Sequence, residues 1–306
     1  MVRGLVKQWK QPVYFSFCKG MTHADSLQSQ LVLVVRELQK IGLKVISTVC
    51  DQASANVKAI HDLQANTQGD YARKGEDCRK GFFEIDKQRV VPLFDAPHLI
   101  KGIRNNLLQK DLECVIDGVT RIAKWQHISE LYALDRNEEI SDLRMLSKLA
   151  EHHIGPNHTQ KMKVKFCTQV FSQRVAAIMH YVARQNPSPL SDGVEYTAIV
   201  LLFLDKLFDS VNESQLFCPE GKPFRGAVKE GLAHHEFWPE AIQILATMVF
   251  IPQLRTHPAS VKNFRRTLQG FQLISKTMKK CVSMKYVFPR NFNQDPLENY
   301  FDMIRS

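Results

Sequence analysis

The sequence has 306 residues, 44% of them hydrophobic and 24% charged, and a formal net charge of +10. A chain of that size and make-up buries a core of one large domain or two ordinary ones. Its longest apolar run, Ala198 to Leu204, is too short to span a bilayer, and its first residues lack the apolar centre of a secretory signal. Seven cysteines, an odd number without a Cys-x-x-Cys pair, read as reduced thiols of a cytosolic or nuclear protein.

Taken in chain order, Val13 to Phe17 reads as a short β-branched and aromatic strand. Thr22 is then placed to cap a helix with Asp25 near its positive end, and Leu27, Leu31, Val34, Val35, Leu38 and Ile41 follow at helical spacing. Gly42 ends that helix, and Leu43 to Val49 is a buried strand. Ala53, Val57, Ile60 and Leu63 share one helical face, and the polar residues 64 to 81 are expected to form a loop. Val90 to Asp95 is a further strand and residues 97 to 108 a helix, with Pro97 in its first turn. Alternating strands and helices imply a mixed or parallel sheet. Beyond about residue 120 the strand signals fade, and residues 125 to 135, 162 to 184, 196 to 212 and 238 to 254 read as helices. A domain change is therefore expected at about residues 118 to 126, and no internal repeat is present.

Asp51 and Asp95 directly follow strands, where ligands of open α/β sheets are bound. Each also fits a helix N-cap, and the residues alone do not separate the two roles. Asp295 followed by Pro296 reads as cap and first helical residue, which puts Glu298 where a capping box would have it. His152, His153 and His158 lack a zinc-finger spacing, and His98 reads as a structural histidine. There is no P-loop motif. Charge is concentrated: between Ala241 and Asn293 there are nine Lys and Arg and no Asp or Glu, so the rest of the chain is close to neutral.

The stretches "GLKVISTVCDQASAN", "VVPLFDAPHLIKGIRNNLL", "QKMKVKFCTQVFS", "LDKLFDSVN" and "NQDPLENYFDMIRS" together resemble the P-element transposase family and its THAP-type relatives. The resemblance implies an α/β fold: a partial RNase H-like domain, a mixed sheet with flanking helices, interrupted by a mostly helical GTP-binding insertion. The implied division is 1–122 for the RNase H-like part, 123–288 for the insertion and 289–306 for the return to the first domain. It also implies that Asp51 and Glu298 are catalytic carboxylates binding Mg²⁺ or Mn²⁺, with Asp95 in support. Hard oxygen donors suit such ions. The family's first acidic residue, in a segment resembling "DEM", has no counterpart in this sequence, so catalysis is expected to be impaired. The family's zinc-containing DNA-binding module has no counterpart either.

Matched position by position, Lys148, Lys163, Val164, Ser172, Asp209, Asn212 and Asp295 are the residues implied to hold GTP. Lysines meet phosphates, and a carboxylate such as Asp209 can accept two N–H bonds from guanine. Between Ser260 and Val282, six apolar residues from Val261 to Met278 take one helical face. Lys262, Arg265, Arg266, Lys276, Lys279 and Lys280 gather on another arc, the expected path of a DNA backbone. The functional expectation is a DNA transposase fragment acting in the nucleus, with transposon and target DNA and GTP as partners, no membrane association and homo-oligomers in a full-length form. The alternative is a domesticated, non-catalytic protein that binds DNA or GTP.

Overall fold

The structure is a computed structural model that describes residues 1–306 apart from 18, 21, 79, 137–143, 156–162, 253–257, 283 and 306; the side chains of 279–282 also lie outside the description. β1 (Val2–Arg3) and β2 (Lys10–Gln11) form a small antiparallel ribbon. Val13 to Phe17, predicted to be a strand, adopts none, and Phe15 and Phe17 are exposed. β-propensity is realised only against a neighbouring strand, and none pairs with this stretch. α1 (Ala24–Lys40) has His23 rather than Thr22 at its cap position, and Gly42 closes it at φ +85°.

β3 (Ser47–Cys50) leads into α2 (Ser54–Arg73), which runs ten residues beyond the predicted apolar face at Leu63. Its polar second half is held by the next strand: the buried Thr67 Oγ1 accepts from the Glu84 amide at 2.9 Å, and the Tyr71 hydroxyl donates to Glu84 at 2.6 Å. β4 (Phe83–Ile85) and β5 (Gln88–Phe94) form a hairpin through Asp86 and Lys87, both with positive φ, and Arg36 anchors the Asp86 carboxylate. β5 then lies parallel to β3, in register from Ser47 opposite Val91 to Cys50 opposite Phe94. α3 (Ala96–Leu107) starts at Asp95, whose carboxylate accepts from the His98 amide.

The next two elements are strands that the sequence reading did not single out. β6 (Asp111–Ile116) and β7 (Val119–Ala123) form a hairpin across Asp117-Gly118, both with positive φ as a tight turn of this kind requires. β8 (Val249–Ile251), inside a stretch predicted to be helical, pairs with the other side of β6. Around this second sheet stand α4 (Trp125–Arg136), α5 (Glu151–Ile154), α6 (Val164–Val170), α7 (Gln173–Ala183), α8 (Val194–Asp209) and α9 (His234–Thr247). The helix predicted over 162–184 is two: Phe171 leaves helical geometry and the Ser172 hydroxyl caps α7 by accepting from the Val175 amide. No helix among the described residues is long and apolar enough to cross a membrane.

α10 (Ala259–Val282) packs between the first sheet and α9. Its predicted apolar face is real, with Val261, Phe264, Leu268, Phe271, Ile274 and Met278 all buried. Phe94 has its backbone N–H and C=O satisfied on that side by the Thr267 hydroxyl, at 3.0 and 3.3 Å, where a further strand would otherwise be needed. Gly270 permits the approach: a Cβ there would stand 2.4 Å from a Leu93 methyl. On the far side Phe271 stacks on Trp238 of α9 at 5.7 Å. A 3₁₀ turn (Pro289–Phe292) and α11 (Asp295–Arg305) bring the chain back to the first sheet.

Phe271 thus lies between α9 and the returning segment, with Phe292 edge-on to it at 5.6 Å. Phe271→Ala is expected to destabilise the protein by about 3–5 kcal/mol, the usual cost of removing a buried aromatic side chain. Urea denaturation with and without the substitution measures it; a loss below about 1 kcal/mol would show that the fold does not depend on this contact.

Candidate functional site

The parallel pairing of β3 and β5 sets two chain segments side by side at their carboxyl ends. The Asp95 amide donates to the Cys50 carbonyl at 2.9 Å, so Asp51 and Asp95 leave the sheet from neighbouring strands. The Cys50 thiol between them is pushed up to about 12, first by burial and then by the charges of Asp51 and Asp95.

Asp95 is 1% exposed. A carboxylate so deeply buried demands donors, and it has three. Its Oδ2 accepts from the His98 amide at 3.1 Å and lies 2.6 Å from His98 Nδ1. Its Oδ1 accepts from the backbone amide of Gln294 at 2.7 Å, across 199 residues of sequence. Gln294 sits immediately before α11 and its carbonyl accepts from the Glu298 amide at 3.0 Å. One buried carboxylate therefore both starts α3 and fixes the beginning of the last helix.

That fixation turns Glu298 toward the sheet. His98 Nε2 lies 3.7 Å from Glu298 Oε1, so the imidazole stands between a buried carboxylate and a half-exposed one. The hydrogen bond to Asp95, opposed by burial, raises the His98 pKa above its ordinary value. Asp95, His98 and Glu298 offer ligand atoms that all lie within 4.8 Å of one another, and a donor set of carboxylates and imidazole fits a divalent cation.

The predicted pair Asp51 and Glu298 is thus at one end of one sheet, but the tight group forms around Asp95. Asp51 Oδ1 accepts from the Ala53 amide at 2.9 Å and from Asn56 Nδ2 at 2.7 Å, an Asx turn ahead of α2, whose N-cap residue is Ala53. Gln52 is bonded to the His98 carbonyl at 3.1 Å, which ties that loop to α3. His98, read from the sequence as structural, is the residue whose position the sequence reading undervalued. The available signal was an Asp at a strand end followed by His three residues on, where a helix N-terminus places the His back over its own cap.

The proposed nucleotide residues are distributed over several helix ends. Lys148 is exposed ahead of α5, Lys163 is at the N-cap position of α6 with its ammonium 5.3 Å above the Phe166 ring, and Val164 is the first residue of α6. Ser172 caps α7. Asp209 ends α8 and pairs with Lys222 at 3.0 Å, while the same ammonium binds Asp205. Burial, then the neighbouring Asp205 charge, raises the Asp209 pKa. Asn212 Oδ1 accepts from Asn293 Nδ2 at 3.3 Å, and Asp295 pairs with Arg290 at 3.1 Å. These contacts bring the end of α8 against the start of α11; among the described residues, none joins them to Lys148 or Lys163. Lys222, which sequence reasoning did not single out, occupies one oxygen of Asp209.

On α10, Lys262, Arg266 and Lys276 are exposed and Arg265 is half-buried, while the side chains of Lys279 and Lys280 lie outside the described residues. His152 and His153 pack on Phe166 with ring centroids 4.5 and 4.6 Å away. His158 also lies outside the described residues.

Two family models match the chain: a TNP-like RNase H N-terminal domain over residues 1–64 and a TNP-like GTP-binding insertion domain over residues 97–223. The DNA transposase THAP9 of Homo sapiens is 27% identical over 318 residues, a match that takes in 100% of this chain and 33% of that protein. The Transposable element P transposase of Drosophila melanogaster is 27% identical over 309 residues, covering 100% of this chain and 38% of that protein. The chain thus spans 33% and 38% of the length of these curated relatives. Among solved structures, the Drosophila P element transposase strand transfer complex superposes with a TM-score of 0.79 at 25% identity, over 99% of this chain and 63% of that one. The fold is accordingly a mixed α/β RNase H-like domain with a GTP-binding-domain insertion. With matches running through its whole length, the chain is homologous to the P-element transposases and carries the TNP-like RNase H N-terminal and GTP-binding insertion domains.

Proposed function

We propose that this chain is the metal- and GTP-dependent strand-transfer core of a DNA transposase, acting on DNA in the nucleus. The observation that carries the reading is the 2.7 Å bond from the Gln294 amide to Asp95, which draws Glu298 to the strand ends where Asp51 stands. Asp51 and Glu298 are the proposed metal-holding carboxylates, and Asp95 supports them by anchoring α11. Divalent ions held there would activate the attacking oxygen and stabilise the leaving oxygen of an in-line phosphoryl transfer. The chain's own share is to hold those carboxylates rigid on three separate segments. The division of roles among these carboxylates belongs to the proposal. So do the boundaries 1–122, 123–288 and 289–306 and the homo-oligomeric full-length form.

The proposed nucleotide set is Lys148, Lys163, Val164, Ser172, Asp209, Asn212 and Asp295. What supports it is the match to the GTP-binding insertion domain, together with a half-buried Asp209 at a helix end beside a small cleft lined by Asp205, Gly221 and Lys222. GTP is expected to bind more tightly than ATP, and Asp209→Ala to remove the preference. Isothermal calorimetry with both nucleotides checks it, and equal affinities in the unaltered protein would overturn the assignment.

The proposed DNA path is the exposed basic arc of α10. Lysine and arginine on phosphates release counterions, so affinity should fall steeply with salt and depend little on sequence. Replacing Lys262, Arg266 and Lys276 by Gln should flatten the plot of log affinity against log salt by roughly one unit for each phosphate no longer neutralised, with GTP binding intact. Fluorescence anisotropy across a salt series reads the slope; an unchanged slope would place the DNA elsewhere.

A further inference from the structure

We infer that His98 is itself a metal ligand, giving the site one nitrogen donor beside its carboxylates, with Asp95 as the outer partner that orients it. The inference rests on the reading that Glu298 helps to hold a divalent ion, and goes beyond it by assigning a donor outside the acidic set.

The geometry separates two kinds of contact. His98 Nδ1 is 2.6 Å from Asp95 Oδ2, a short hydrogen bond to a carboxylate that is 1% exposed. His98 Nε2 is 3.7 Å from Glu298 Oε1, too far for a hydrogen bond. Two donors each about 2.1 Å from one ion stand about 3.0–3.7 Å apart for bond angles of roughly 90–120°. The second spacing is therefore that of atoms sharing an ion.

Both oxygens of Asp95 are already occupied, one by the Gln294 amide and the other by His98. Asp95 is consequently not a free third ligand. With Nδ1–H donated to Asp95, Nε2 carries the lone pair and faces the solvent-open side where Glu298 lies. A histidine held by a buried carboxylate through one nitrogen and ligating through the other is a recurrent arrangement in metal sites. Gln52, bonded to the His98 carbonyl, steadies the same residue from the Asp51 loop.

An imidazole alters the preference among ions. Carboxylates alone suit magnesium, whereas a nitrogen donor favours a transition ion such as manganese. Mn²⁺ should therefore bind more tightly than Mg²⁺ in competition.

The test is pulsed electron paramagnetic resonance of Mn²⁺ added to the purified 306-residue protein without nucleotide. The expected result is a directly coordinated nitrogen, seen as ¹⁴N hyperfine coupling and lost in His98→Gln. Asp95→Asn keeps an acceptor for the Gln294 amide but presents an amide N–H₂ to His98, which turns the imidazole to the wrong tautomer. It should weaken Mn²⁺ about 10- to 100-fold, the usual cost of losing an outer partner. Glu298→Gln, at an exposed position that the fold does not need, should also remove the coupled signal. Bound Mn²⁺ with oxygen ligands only, or nitrogen coupling that survives His98→Gln, would overturn the inference and leave the acidic site standing. No Mn²⁺ binding, or binding indifferent to Glu298→Gln, would overturn the proposed metal site and this inference with it.

Discussion

The bond between the Asp95 carboxylate and the Gln294 amide is the constraint on which the site depends. A charge buried to 1% exposure is tolerable only when its lone pairs are filled, and here the donors come from two chain segments 199 residues apart. Apart, each segment would leave the carboxylate short of a donor. The cost of an unsatisfied buried charge thus works as a latch: Asp95 has its full set of donors only when residue 294 has returned to it.

The returning segment is held from both sides. Val287 exchanges backbone bonds of 2.8 and 2.9 Å with Val228, and the Arg290 amide donates to the Glu213 carbonyl at 3.1 Å. Asn293 reaches Asn212 on the insertion side, and the next residue is taken by Asp95 on the sheet side. The insertion is therefore not a lobe hung on a loop. Residues of its helices meet the chain again within a few residues of Glu298, and α10 packs beside them through Thr267, Gly270 and Phe271. Whatever occupies the end of α8 is mechanically close to the last helix.

How much of this was legible depended on whether the cause was local. The apolar face of α10 follows from 3.6-residue spacing and was readable in full, as was α3 from Asp95 and Pro97. β6 and β7 were missed although Asp117-Gly118 is a strong hairpin signal, because their buried residues alternate in short runs between two helical stretches. The second half of α2 was read as loop because Thr67 and Tyr71 are polar, and they are satisfied by Glu84 from another strand. Val13 to Phe17 failed in the opposite sense, having the composition of a strand but no partner. At the site, the capping role of Asp95 could be read from its neighbours. Its hold on Gln294 could not, since no pattern within either segment encodes the distance between them.

A purely apolar contact could bring α11 to the sheet with comparable stability, but it would leave the helix free to rotate. Buried polar links are weak evidence for stability, and their attested use is to fix register. That use applies here. Gln294 gives its N–H to Asp95 and its carbonyl to the Glu298 amide, so the pinned residue and the glutamate are one helical turn apart on the same face. Pinning position 294 therefore sets the direction of position 298. Arg290 paired with Asp295 restrains the step before that turn, and the side chain left with freedom is the glutamate itself, half exposed and facing His98. A carboxylate that must meet a ligand gains most from this division: a helix whose phase is fixed by a buried hydrogen bond, and a terminal group still open to solvent.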